Sequence, residues 1–173
     1  MKNYKLLSFA ALLALAACNV NSKTTSTNTT DSLSHNDTAK NASKALFVNM
    51  QIKDTINVGD SVLLKFTVHN PADSTQQFCK WHTPFEPLLS KYLEVKNEAG
   101  TEADYRGAMA KRIMPPPVSS YIKVNPKDSM TSNVDLLKGF AITQPGKYTI
   151  TYVGQNMSGL VSEQTVSFVY LKK

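Results

Sequence analysis

Leu46, Val48, Met50 and Ile52 alternate with Phe47, Asn49, Gln51 and Lys53, so one side of an extended segment is apolar and the other mostly polar. A period of two marks a half-buried β-strand. The same rhythm runs through residues 61–69, with Val62, Leu64, Phe66 and Val68 on one face and Leu63, Lys65, Thr67 and His69 on the other. Residues 76–81, 92–97, 120–124, 130–136, 147–153 and 164–171 also fit strands. Asn70-Pro71-Ala72-Asp73, Asn125-Pro126-Lys127-Asp128 and Gln144-Pro145-Gly146 punctuate them as turns. No segment carries a sustained helical apolar stripe.

Eight such segments within residues 45–173 predict an all-β fold, a single immunoglobulin-like antiparallel β-sandwich of seven to eight strands. That length supports one core. Ahead of it the pattern changes twice. Residues 6–17 are apolar apart from Ser8 and follow Lys2 and Lys5, which predicts a signal peptide over residues 1–17, too short for a permanent membrane span. Residues 19–44 are then dominated by Ser, Thr and Asn, 16 of 26 positions, with Val20 and Leu33 the only large apolar side chains. Such a stretch cannot bury enough surface to offset its ordering entropy, so residues 18–44 are expected to form a disordered tether.

Leu15-Ala16-Ala17-Cys18 resembles the lipobox of bacterial lipoproteins. The resemblance implies cleavage before Cys18, acylation of its sulfur and new amine, and a domain held outside the cytoplasm on the cell envelope, with the outer membrane the expected site. Several acyl chains, at about 0.8 kcal/mol per buried methylene, make such attachment effectively permanent. Loss of Lys2 and Lys5 with the leader lowers the formal charge from +6 to +4. No run of cations exceeds Lys111-Arg112, which leaves no case for nucleic acid. With Cys18 committed to lipid, Cys79 has no disulfide partner in its own chain.

Six of the eight aspartates precede Ser or Thr. The pattern resembles the acceptor sites of the protein O-glycosylation system of Bacteroidetes-type bacteria, which would place sugars on Ser32 and Thr38 in the tether. Within the domain, Asp-Ser and Asp-Thr pairs serve equally as turn formers.

The stretch Phe78-Cys79-Lys80-Trp81-His82-Thr83-Pro84-Phe85-Glu86-Pro87 crowds a thiol, an imidazole and a carboxylate beside the single tryptophan. A zinc site from Cys79, His82 and Glu86 needs a further ligand, and on a regular strand Cys79 and His82 project to opposite faces. For nucleophilic catalysis Cys79 needs a base within reach and an open approach. The expectation is therefore structural: Trp81 a core plug, Cys79 a small buried hydrophobe, and His82 and Glu86 at a strand exit and in an exposed loop. No metal and no cofactor are expected.

Lys80-Trp81-His82-Thr83-Pro84, Tyr105-Arg106-Gly107, Lys111-Arg112, Val124-Asn125-Pro126-Lys127-Asp128-Ser129 and Gly146-Lys147-Tyr148-Thr149-Ile150-Thr151-Tyr152 follow in an order that resembles the non-catalytic β-sandwich domain preceding the protease domain of bacterial deuterolysin-like and peptidyl-Lys metallopeptidases. Pro145-Gly146-Lys147-Tyr148 resembles, more loosely, the single-sandwich bacterial proteinase inhibitors. The chain contains no H-E-x-x-H pentad. The resemblance thus implies an accessory, non-enzymatic module. Residues 106–118, with Met109, Met114 and the triple proline Pro115, Pro116 and Pro117, cannot be regular sheet and form a pre-ordered extended segment suited to a partner's strand or to a protease cleft. The competing and favoured reading is that Pro115 to Pro117 simply blunt a sheet edge. Phe85 in the neighbouring loop is either an exposed anchor or a lid on the sandwich. The resulting expectation is a monomeric, lipid-anchored binding module whose partner is an envelope or secreted protease. The alternative is a structural or assembly lipoprotein of the envelope.

Overall fold

The computed structural model describes residues 44–172. The leader, Cys18, Ser32 and Thr38 lie outside the described residues. Nine strands appear among the described residues: β1 (Phe47–Gln51), β2 (Thr55–Asn57), β3 (Leu63–His69), β4 (Gln76–Cys79), β5 (Leu93–Asn97), β6 (Tyr121–Val124), β7 (Ser129–Asp135), β8 (Gly146–Tyr152) and β9 (Thr165–Leu171). One four-residue helix, α1 (Gln155–Ser158), links β8 to β9. Each of the eight strands expected from the pattern is present. The additional one, β2, has three residues and pairs in parallel with β9, too short for any periodicity to reveal.

The strands form a sheet ordered β1-β3-β7, a second ordered β2-β9-β8-β5, and a β4-β6 pair. Apart from β2, all pairings within the sheets are antiparallel. The described residues form a β-sandwich of the immunoglobulin-like kind, and alternation decides how its layers face. In β3, Leu64, Phe66 and Val68 are fully buried while Leu63 is 55% exposed. Slipping β3 by one residue would turn that whole row outward. Ile150, Tyr152 and Phe168 supply the opposing wall, and the Phe66 ring meets Tyr152 edge-on at 5.1 Å. Full burial of a side chain such as Phe66 contributes about 1.5–3 kcal/mol.

The turns are closed by polar side chains. Asn70 is 2% exposed. Its amide nitrogen donates to the carbonyls of Ser74, Val124 and Asn125, and its oxygen accepts from the backbone of Ala72. One residue thus ties the β3–β4 and β6–β7 turns together at one end of the sandwich. The described chain begins at that end: the Gln76 side chain donates to the Lys44 carbonyl at 2.7 Å. Asp128, read either as a turn former or as part of an acceptor pair, accepts from the backbone of Ser129 at 2.7 Å and so shapes the turn.

Candidate functional site: an apolar crest on a clamped loop

Between β5 and β6 the chain makes no strand, only isolated bridges at Glu102 and Tyr105 and a short 3-10 turn over Val118–Ser120. The foot of this loop is fixed where Arg106 N–H donates to the Gly139 carbonyl at 2.7 Å and the Tyr105 ring packs edge-on against Phe140. Gly107 passes so close to the Tyr105 ring that any Cβ there would overlap its hydroxyl end. Ala108 and Ala110 N–H then donate to the carbonyls of Leu88 and Leu89 at 3.1 and 2.7 Å. At the far side Ser120 N–H returns to the Pro117 carbonyl, and Lys80 N–H binds the Ser120 carbonyl.

Arg112 sits between these attachments and turns inward. Its guanidinium lies 4.7 Å from the centre of the Trp81 ring and 2.5 Å from Glu86 Oε1, with Ser90 Oγ at 3.5 Å. The Arg112 side chain is 15% exposed and that of Glu86 5%. Glu86 Oε1 also accepts from His82 N–H at 3.0 Å, which fastens the carboxylate to the exit of β4. A cation over an aromatic face, removed from water and paired with a hydrogen-bonded carboxylate, makes a directional clamp. His82 occupies the left-handed region at φ 59°, and the Tyr152 hydroxyl donates to its carbonyl at 3.1 Å. Burial first, and the nearby Arg112 charge second, hold its imidazole below the usual 6.5, with Glu86 opposing.

With Arg112 turned in, its neighbours turn out. Met109 is 72% exposed, Ile113 81%, Met114 63% and Val118 90%. Pro115 and Pro117 are exposed as well and Pro116 is half-buried. Several exposed apolar side chains close together in sequence on a held loop are candidates for an interaction site. A cleft of 520 Å³ between Pro84, Glu86, Leu88 and Arg106, Ala108 borders the loop's foot. A larger shallow groove of 650 Å³ lies elsewhere, between Leu46, Phe47, Val48 and Val161, and shares no residue with the clamp.

Several expectations change here. Phe85 is no exposed anchor: it is half-buried, with its ring against Phe78 at 5.2 Å and Phe66 at 6.5 Å, and it lids the core. Glu86 is not exposed. Trp81 is buried, but the core aromatic of this stretch is Phe78; Trp81 lies beneath Arg112, outside the main cluster. β4 ends at Cys79, so the strand alternation used to set His82 against Cys79 does not extend that far. Cys79 is buried. Among the described residues, no group of three or more His, Cys, Asp or Glu side chains is placed to hold a metal ion. No helix among them is long and apolar enough to cross a membrane.

Met109, Met114, Pro115, Pro116 and Pro117 were expected from the sequence; Ile113, Val118 and the Arg112–Glu86 pair were not. The available signal was a carboxylate wedged between Phe85 and Pro87 in an apolar stretch, which requires a cation when buried.

No family model matches the chain, and no curated protein matches it significantly. Among solved structures, an alkylpurine DNA glycosylase of Pseudomonas fluorescens bound to abasic-site DNA is 10% identical with a TM-score of 0.36, over 73% of this chain and 30% of that one. The CARDB domain of a Pyrococcus furiosus protein, in complex with di-metal ions, is 16% identical with a TM-score of 0.38, over 75% of this chain and 94% of that one. This chain therefore spans less than a third of the glycosylase.

Proposed function

We propose that this protein is a lipid-anchored cell-envelope module, held to the membrane through acylated Cys18, whose sandwich is non-catalytic and docks another envelope protein through the crest formed by Met109, Ile113, Met114 and Val118. Inhibition of a protease is its sharpest version. The observation that carries the reading is the combination of four apolar side chains, each more than 60% exposed, with a buried Arg112–Glu86–Trp81 clamp that fixes their backbone. A held loop loses little further entropy on binding, which favours affinity. Anchor residues that cluster on one rigid element are also what hot spots require.

The decisive experiment captures envelope proteins on the acylated protein and on a variant with Met109, Ile113, Met114 and Val118 changed to Ser, then assays each captured protease. Dose-dependent inhibition by the wild type, lost in the serine variant, supports the inhibitory form. Capture lost in the variant without any inhibition leaves a binding module that inhibits no protease. Capture that is equal for both proteins rejects the crest.

A further inference from the structure

Met109 and Met114 are 72% and 63% exposed, whereas Met50 in β1 is fully buried and Met130 and Met157 are half-buried. Neither exposed thioether belongs to the hydrophobic core. The other soft groups nearby are withdrawn: Cys79 is buried, and Trp81 lies under Arg112. The most accessible thioether sulfurs among the described residues therefore stand on one loop, on either side of the Arg112 clamp.

We propose that Met109 and Met114 form a paired, reversible oxidation site that weakens the crest, a proposal that rests on the docking function argued above. Each sulfur lone pair attacks one oxygen of hydrogen peroxide. The O–O bond breaks, the departing hydroxide takes the remaining peroxide proton to leave as water, and the sulfur gains one oxygen as methionine sulfoxide. Sulfur is oxidised by two electrons and peroxide reduced by two. The product replaces a flexible apolar side chain with a polar, chiral one, while a sulfoxide reductase can reverse the change. Docking would then require desolvation of two sulfoxide dipoles. Because both sulfurs lie outside the core, the modification alters the surface and leaves the fold intact.

The full chain, acylated and held in detergent, is treated with graded hydrogen peroxide, quenched and mapped by peptide mass. Met109 and Met114 are expected to oxidise at least about tenfold faster than Met50, whose sulfur is reached only when the structure opens. Retention on a phenyl matrix serves as a readout that needs no partner. It should fall on oxidation with the thermal midpoint unchanged, and recover after treatment with methionine sulfoxide reductases A and B and a thiol reductant. In a Met109→Leu, Met114→Leu variant, retention should no longer respond to peroxide. Equal oxidation of Met50, or unchanged retention after both crest methionines are converted, overturns the proposal. The two layers separate cleanly: partner capture that survives the serine crest variant rejects docking, whereas capture lost in that variant but kept by the doubly oxidised protein rejects only the switch.

Discussion

At Arg112 a single guanidinium covers Trp81 and pairs with Glu86, while the neighbouring Ile113 faces solvent. Arg112→Ala removes one partner of a buried pair and leaves the Glu86 carboxylate without its cation, so unfolding in urea should show a loss of about 3 kcal/mol. Adding Glu86→Gln to Arg112→Ala should recover part of that loss, since the uncompensated charge is then gone. No recovery would mean that the stacking on Trp81, rather than the charge pair, carries the effect. His82 offers a second test at this scale. Its imidazole is disfavoured as a cation in the fold, so this contribution to stability is fully present above the ordinary value near 6.5 and is lost as pH falls through the lower folded value. His82→Asn tolerates the left-handed backbone. The wild-type urea midpoint should therefore fall more steeply below about pH 6.5 than that of His82→Asn, and parallel curves would contradict the assignment.

At the scale of elements, two joints hold the architecture. Asn70 satisfies three carbonyls and one N–H across two turns. Asn70→Ala should therefore cost about 2–3 kcal/mol in thermal or urea unfolding, because several buried groups lose their partner at once. Phe85 bridges Phe66 of the main sheet and Phe78 of the β4–β6 pair. Phe85→Ala should lower stability by about 2–3 kcal/mol, at or just below the usual cost for a core aromatic because Phe85 is only half-buried. A partner-binding role for Phe85 would instead leave stability unchanged. These joints also show what was legible beforehand. Period-two alternation wrote β1 and β3 directly into the chain, and Asn70-Pro71-Ala72-Asp73 announced its turn. Residues 83–90 carried no such period; Glu86 is paired by Arg112, which arrives from another loop some two dozen positions later, and Phe85 is covered by Phe66 and Phe78. Long-range pairing of an acid with a base leaves no local pattern, so Glu86 reads as an exposed loop residue, whereas Phe85 is open between anchor and lid and its ring contacts decide for the lid.

At the largest scale, across the described residues, the chain's entry and the foot of the crest loop sit at different places on the sandwich. Lys44 enters beside Gln76, Asp73 and the Asn70 turns, at the His69 end of β3. The crest loop instead starts from Arg106 and Gly139, beyond the Leu63 end, and β3 between them spans roughly 20 Å at about 3.3 Å per residue. The loop's foot and the chain's entry at Lys44 are thus separate, which the proposed anchoring through Cys18 would use to leave Met109, Ile113, Met114 and Val118 free to dock. The clamp places a largely buried ion pair on a loop that contributes little to the core, which supports the proposed docking role. The most direct measurement is the equilibrium affinity of a purified captured partner for the wild type and for the equally stable serine variant of those four positions. The account predicts at least about a hundredfold weaker binding, as loss of a clustered apolar anchor requires. Equal affinities would contradict it.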